Sequence, residues 1–172
     1  MKFHSASVGI GLSVVSNLFL VNSLSIPLFN SSQVLAQEVA TLCPLPADIA
    51  VTFLDSKCEA VKLNQPKTFY RYYSSDQNKY GRYLTTDKYK NNVDVIRNLA
   101  LNQAWGNKAT IRLKVTLPAG TTVYQGIVAP QTPAQCYPGG GQQTFIQDSK
   151  DPNIKWSQGK NITVQEFVCP QN

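Results

Sequence analysis

The sequence predicts an α+β domain of mostly antiparallel β-sheets with one or two short helices, and three observations carry that expectation. Between 109 and 117, Ala109, Ile111, Leu113, Val115 and Leu117 alternate with Thr110, Arg112, Lys114 and Thr116, the two-residue period of a strand with one buried and one wet face. Tyr89, Val93, Ile96 and Ala100 instead recur at helical spacing, and Thr86 stands where a cap is expected. Aromatic or β-branched runs separated by Gly, Pro and Asn turns fill the rest, without internal repeat or low-complexity tract.

Taken in order, residues 1–36 read as a signal peptide. Lys2, with His4, gives a positive start, residues 8–29 carry no charge, and Val34-Leu35-Ala36 fits a cleavage site. An uncleaved anchor is the competing reading, but Ser13, Asn17, Asn22 and Pro27 interrupt the apolar run. The expectation is a secreted protein whose residues 37–172 form one globular domain, with no membrane association after cleavage. Residues 37–66 should be an irregular or partly helical lead-in, because Pro44, Pro46 and Pro66 limit regular structure. Residues 67–73 fit a strand, 74–79 a polar turn and 80–85 a second extended piece. Pro118-Ala119-Gly120 should turn the 109–117 strand back onto 123–128. Pro138 and three glycines make a loop before a short strand at 143–146, and a last strand runs over 161–168.

Composition narrows the chemistry. The sole histidine, His4, and the sole methionine, Met1, both precede the cleavage site. The mature chain therefore lacks Ser-His-Asp and Cys-His machinery and histidine-bearing zinc sites. The net charge of +6 falls by one with Lys2, and its Lys and Arg are dispersed, unlike the gathered patch of a nucleic-acid binder. Cys43, Cys58, Cys136 and Cys169 form an even set without Cys-x-x-Cys spacing, so two disulfides are expected rather than a metal site. Three connectivities are open; proximity in sequence favours Cys43–Cys58 and Cys136–Cys169.

Two segments hold polar groups suited to a ligand. Gly139-Gly140-Gly141 lacks the Lys-Ser or Lys-Thr of a P-loop and the βαβ setting of a dinucleotide fingerprint. It does allow close backbone approach to a ligand, with a polar residue at its exit. The 69–83 segment interleaves aromatics with Arg71 and Arg82. That is either a β-core with two surface arginines or a site for a flat, phosphate-bearing ligand, with arginine forking phosphate and aromatic faces stacking on rings.

Several short motifs occur in one order: the aromatic-flanked Arg71, Gly81-Arg82-Tyr83-Leu84-Thr85, Arg97-Asn98-Leu99-Ala100-Leu101, residues 117–126 (Leu-Pro-Ala-Gly-Thr-Thr-Val-Tyr-Gln-Gly), Val128-Ala129-Pro130, and Pro138 through Gln143. Over roughly residues 67–147 this series resembles the NAD-glycohydrolase domain of the tuberculosis necrotizing toxin family, which includes secreted fungal NADases and polymorphic-toxin domains. The resemblance implies a fold related to ADP-ribosyltransferases and cleavage of NAD+ or NADP+ to nicotinamide and ADP-ribose, by a toxin or effector. It implies Arg71, Tyr83, Arg97 and Gln143 as the catalytic set. Arg71 and Arg97 would clamp the phosphates, Gln143 would hold the ribose or the attacking water, and Tyr83 would pack on the nicotinamide end. Tyr70, Arg82, Gly141 and Gln142 beside them would bind substrate. The sequence departs from the family pattern at Tyr70 and Tyr72, which flank Arg71, and at Asn102, where proline is common.

The resemblance implies no cofactor and no metal, only NAD+ or NADP+ as substrate, and it allows a neutralising immunity protein as partner. Nicotinamide leaves as a neutral pyridine and needs no general acid, which suits a domain without histidine. Two rival readings stand beside it. A mono-ADP-ribosyltransferase would call for a Glu/Gln-x-Glu arrangement, which Gln165-Glu166 lacks. A secreted, non-catalytic binding module could keep the fold without the activity.

Overall fold

The computed structural model describes residues 42–170, so the signal-peptide reading of 1–36 and the first residues of the lead-in lie outside it. In chain order its elements are α1 (Ala47–Ala50), β1 (Glu59–Lys62), β2 (Lys67–Tyr73), α2 (Asp76–Lys79), β3 (Tyr83–Leu84), α3 (Asn92–Asn98), β4 (Ile111–Leu117), β5 (Thr122–Ile127), β6 (Gln142–Phe145), β7 (Lys155–Trp156) and β8 (Lys160–Asn161). One sheet has the order β1-β5-β6-β3 and the other β2-β4-β7, with β8 also on β4. Every pairing in them is antiparallel, and the fold is α+β.

The alternating segment is the centre of the second sheet. Leu113, Val115 and Leu117 of β4 are buried and pack with Phe69, Tyr73, Val123 and Ile146. Fully burying a side chain such as Phe69 contributes about 1.5–3 kcal/mol. A second cluster gathers around α3, through Val95, Ile96, Ala109, Tyr72 and Tyr137. A third holds the lead-in onto the first sheet, through Ile49, Phe53 and Phe145. Among the described residues, no helix is long and apolar enough to cross a membrane.

Six expectations about elements are corrected. The 37–66 lead-in is not only irregular or helical, since β1 within it joins the first sheet beside β5, and the polar turn at 74–79 winds into α2. Residues 123–128 do not fold back on β4: β5 pairs with β1 and β6 instead. Both edges of β4 are already occupied, by β2 on one side and by β7 and β8 on the other. Leu63, just after β1, captures the turn, since Gly120 N–H donates to its carbonyl and its own N–H donates to Thr121. The 118–120 turn thus carries the chain from one sheet to the other.

The helix starts later than Thr86, because Asn91 is its cap and accepts from Asp94 N–H at 2.8 Å. Tyr89 lies ahead of it, and the buried face is Asn92, Val95 and Ile96. The extended piece at 80–85 shortens to β3. The last strand shrinks to β8, after which the chain becomes a strap. There Asn92 stands in for a neighbouring strand: its Oδ1 accepts from Gln165 N–H at 2.7 Å and its Nδ2 donates to Gln165 carbonyl at 3.0 Å.

The disulfides pair as proximity favoured, Cys43 with Cys58 and Cys136 with Cys169, with Cα separations of 4.5 and 4.9 Å. The second ties the strap to the loop beyond α3. Phe167 stacks on Tyr137 beside it, ring centroids 5.7 Å apart.

Candidate functional site

The two sheets meet edge to edge through one bridge. Tyr70 of β2 and Thr85, just past β3, exchange both backbone hydrogen bonds, at 2.8 and 3.0 Å. Beside this seam lies a cavity of about 330 Å³. Arg71, Tyr83, Gln143 and Thr52 line it together with the apolar Leu99, Leu101 and Val128 and the exposed Trp105. That volume falls at the small end of the range for ligand pockets, roughly 300–1,000 Å³.

Alternation along β2 puts Arg71 on the face of Phe69 and Tyr73, which point into the core. The guanidinium is consequently buried. Its Nη1 donates to Tyr83 carbonyl at 3.0 Å and its Nη2 to Asn78 carbonyl at 2.8 Å, while its buried Nε has no partner. Among the described residues the one ion pair is Lys57 with Asp55, so no carboxylate neutralises Arg71. Burial lowers its pKa to about 10, which still leaves a cation at neutral pH. An unneutralised cation with a spare donor beside a cavity is arranged for an anion.

Gly81 makes this placement possible. A Cβ there would come within 2.5 Å of Arg71 Nη2 and 2.7 Å of Cζ, so the guanidinium lies flat on a backbone without a side chain. On the other sheet, Gln143 is 7 % exposed and donates Nε2 to Thr52 Oγ1 at 2.9 Å. Tyr83 packs edge-on against Phe145, centroids 5.2 Å apart, and so holds its ring at the cavity wall.

The structure therefore brings together Arg71, Tyr83, Gln143 and Tyr70 of the expected set, and leaves the others outside the cavity. Arg97, near the end of α3, is half-buried and donates Nη1 to Gln135 carbonyl at 3.3 Å. Arg82 is exposed, its guanidinium 5.0 Å from the centre of the Phe145 ring. Gly141 belongs to a loop folded onto α3, and Gln142 opens β6 directly after it. N–H groups of Gly139 and Gly141 donate to the carbonyls of Arg97 and Asn98, each at 3.0 Å, completing bonds that the helix end leaves open. Gln142 N–H donates to Asp87 Oδ2 at 2.8 Å. The close approach of Gly141 is to the helix end, where a Cβ would lie 2.6 Å from Tyr89 Oη and 2.9 Å from Asn98 carbonyl, while Gly139 lies against the backbone of Val128 and Ala129 and Gly140 meets open space.

Asp87 also accepts from Tyr89 Oη at 2.8 Å. Burial, then that hydrogen bond and the Asp87 charge, push the Tyr89 phenol well above the usual tyrosine range, and burial raises Tyr72.

Thr52, Asn78, Trp105, Asn107 and Gln131 also line the cavity and were not singled out from sequence. Only Trp105 carried a signal, a large aromatic within the polar stretch 102–108. Among the described residues no cluster of three or more His, Cys, Asp or Glu side chains could hold a metal ion.

No protein-family model and no curated protein matches the chain. A solved structure, that of Tne2 in complex with Tni2, is similar in fold, with a TM-score of 0.50 and 17 % identity over 63 % of this chain and 93 % of that chain.

Proposed function

We propose that this protein is a secreted NAD(P)+ glycohydrolase that releases nicotinamide and ADP-ribose. The observation that carries the reading is the buried Arg71 guanidinium, unneutralised and with a free Nε, in one cavity with Gln143 and Tyr83. The likeness in fold to Tne2 supports it further. The cavity has room for one nucleoside end of a dinucleotide, so the nicotinamide riboside enters and the adenosine half lies outside. Arg71 holds the adjoining phosphate. Tyr83 and Trp105 offer aromatic faces to the pyridinium ring.

Cleavage breaks the bond between ribose C1′ and the pyridinium nitrogen. The bond electrons leave with nicotinamide as a neutral molecule, so the ring needs no proton. The sugar becomes oxocarbenium-like, and water then attacks C1′ and loses a proton to solvent. What the protein supplies is orientation and a fixed polar frame. Arg71 anchors the phosphate so that the ribose cannot drift, and Gln143 accepts a hydrogen bond from a ribose hydroxyl or the incoming water.

The transferase reading is less well supported, because Glu166 is exposed on the C-terminal strap and does not line the cavity. Two disulfides support export. Because Tne2 is found in complex with Tni2, a neutralising partner for this protein belongs to the proposal. Nicotinamide release from NAD+ by the purified, disulfide-intact protein tests the reading, and absence of turnover would overturn it.

A further inference from the structure

Gln143 can serve as an acceptor only if its carboxamide is turned the right way, and its polar neighbours decide that orientation. Thr52 Oγ1 donates its single proton to Ile49 carbonyl at 2.7 Å. Toward Gln143 it therefore offers only lone pairs. The Thr52 carbonyl, also an acceptor, lies beside it. Two acceptors facing one amide are satisfied by its nitrogen, and Nε2 stands 2.9 Å from Thr52 Oγ1 and 3.4 Å from Thr52 carbonyl. Oε1 accepts no hydrogen bond from the described residues and is left to the cavity.

The lead-in is built to deliver Thr52 to this place. Residues 43–58 are closed into a loop by their disulfide. Gly126 pairs with Gln143 in the sheet, and a Cβ on it would lie 2.7 Å from Lys57 carbonyl and 2.8 Å from Phe53 Cδ1. The bare backbone at Gly126 lets the loop lie directly on β5. Ala129 N–H then fixes the Thr52 carbonyl at 2.9 Å, and Phe53 bridges to Val128.

We propose that Thr52 is a positioning residue for Gln143: it fixes the carboxamide so that the cavity presents an acceptor, which selects a hydrogen-bond donor on the ligand side. Resting on the glycohydrolase reading, that donor is a ribose hydroxyl or the attacking water. Without the Thr52 hydroxyl the amide can flip, and a flipped amide offers two N–H groups where a donor must bind.

Wild type, Thr52→Val and Thr52→Ser are compared for kcat and KM of nicotinamide release, and for hydrogen exchange of the Gln143 side-chain amide by NMR. Valine keeps the shape and the carbonyl but removes the lone pairs; serine keeps the hydroxyl. The expected result is a kcat about tenfold lower in Thr52→Val, with KM changed less than about twofold. Thr52→Ser should recover to within about threefold of wild type, and the Gln143 amide should exchange faster in Thr52→Val alone. Equal losses in both variants would mean that packing of the methyl group matters rather than the hydroxyl, and would overturn the assignment. So would Thr52→Val with wild-type kcat and unchanged amide exchange. If wild type releases no nicotinamide, the glycohydrolase reading falls, while Gln143 amide exchange in the three proteins still decides the role of Thr52.

Discussion

The Arg71 corner and the glycine-loop corner carry the same residue types, with arginine, glycine, glutamine and tyrosine in each, yet they are built in opposite ways. At the glycine loop every backbone donor is answered from within: Gly139 by Arg97, Gly140 by Val128, Gly141 by Asn98 and Gln142 by Asp87. At Arg71 the donors outnumber the acceptors, and the buried Nε is left over. Glycine-rich sequence marks close approach, but capacity for a ligand resides where polar groups remain unmatched after folding.

Substituting the two arginines gives the sharpest contrast. Arg71→Ala should lower kcat/KM for nicotinamide release by about 10³-fold, roughly 4 kcal/mol of lost transition-state stabilisation, whereas Arg97→Ala should cost less than about tenfold. Equal losses would erase the distinction between the corners.

Gly81→Ala is expected to lower kcat/KM by roughly 30- to 100-fold by pushing the Arg71 guanidinium off the backbone, with a near-native melting temperature because the flexible end of a side chain yields. Gly141→Ala should do the reverse. Its Cβ meets Asn98 carbonyl and Tyr89 Oη, so urea unfolding should show a loss of about 2–3 kcal/mol, while kcat stays within about threefold of wild type well below the melting temperature.

Smaller is the effect of pH. Burial lowers the Arg71 pKa to about 10, and the guanidinium keeps its proton more firmly beside a bound anion than in the empty site. Thermal stabilisation by inorganic pyrophosphate, a few degrees near neutrality, should therefore shrink as pH rises through about 10. A shift that persists undiminished to pH 11 would place the anion elsewhere.

Much of the local structure was legible because it is written in short periods. The alternation of Leu113, Val115 and Leu117 identifies β4 and its buried face, and the aromatic run identifies β2. What those strands pair with is not written locally. The turn at 118–120 looks like a hairpin, and only the competition of β2, β7 and β8 for the edges of β4, with Leu63 capturing the turn, sends β5 to the other sheet. The helix start is less legible, because Thr86 and Asn91 both suit a cap; the structure uses Asn91, the stronger capping residue, and Tyr89 N–H, ahead of the helix, donates to Tyr72 Oη at 2.6 Å.

In the site, Arg71, Tyr83 and Gln143 were found through a family resemblance that orders motifs along the chain. Thr52 lies outside that stretch, and its contact with Gln143 spans 91 positions. No local pattern encodes such a pair.

The seam between the sheets has a further consequence. Arg71 stands on one sheet and Gln143 on the other, and the backbone exchange between Tyr70 and Thr85 joins those sheets edge to edge. The amide hydrogens of these two residues therefore work as a built-in gauge. Their exchange with deuterated water reports how often the halves of the cavity part, before any substrate is added and whatever the substrate proves to be. A ligand that spans both sheets should slow the pair together, whereas one that rests on a single sheet should leave both rates as they were.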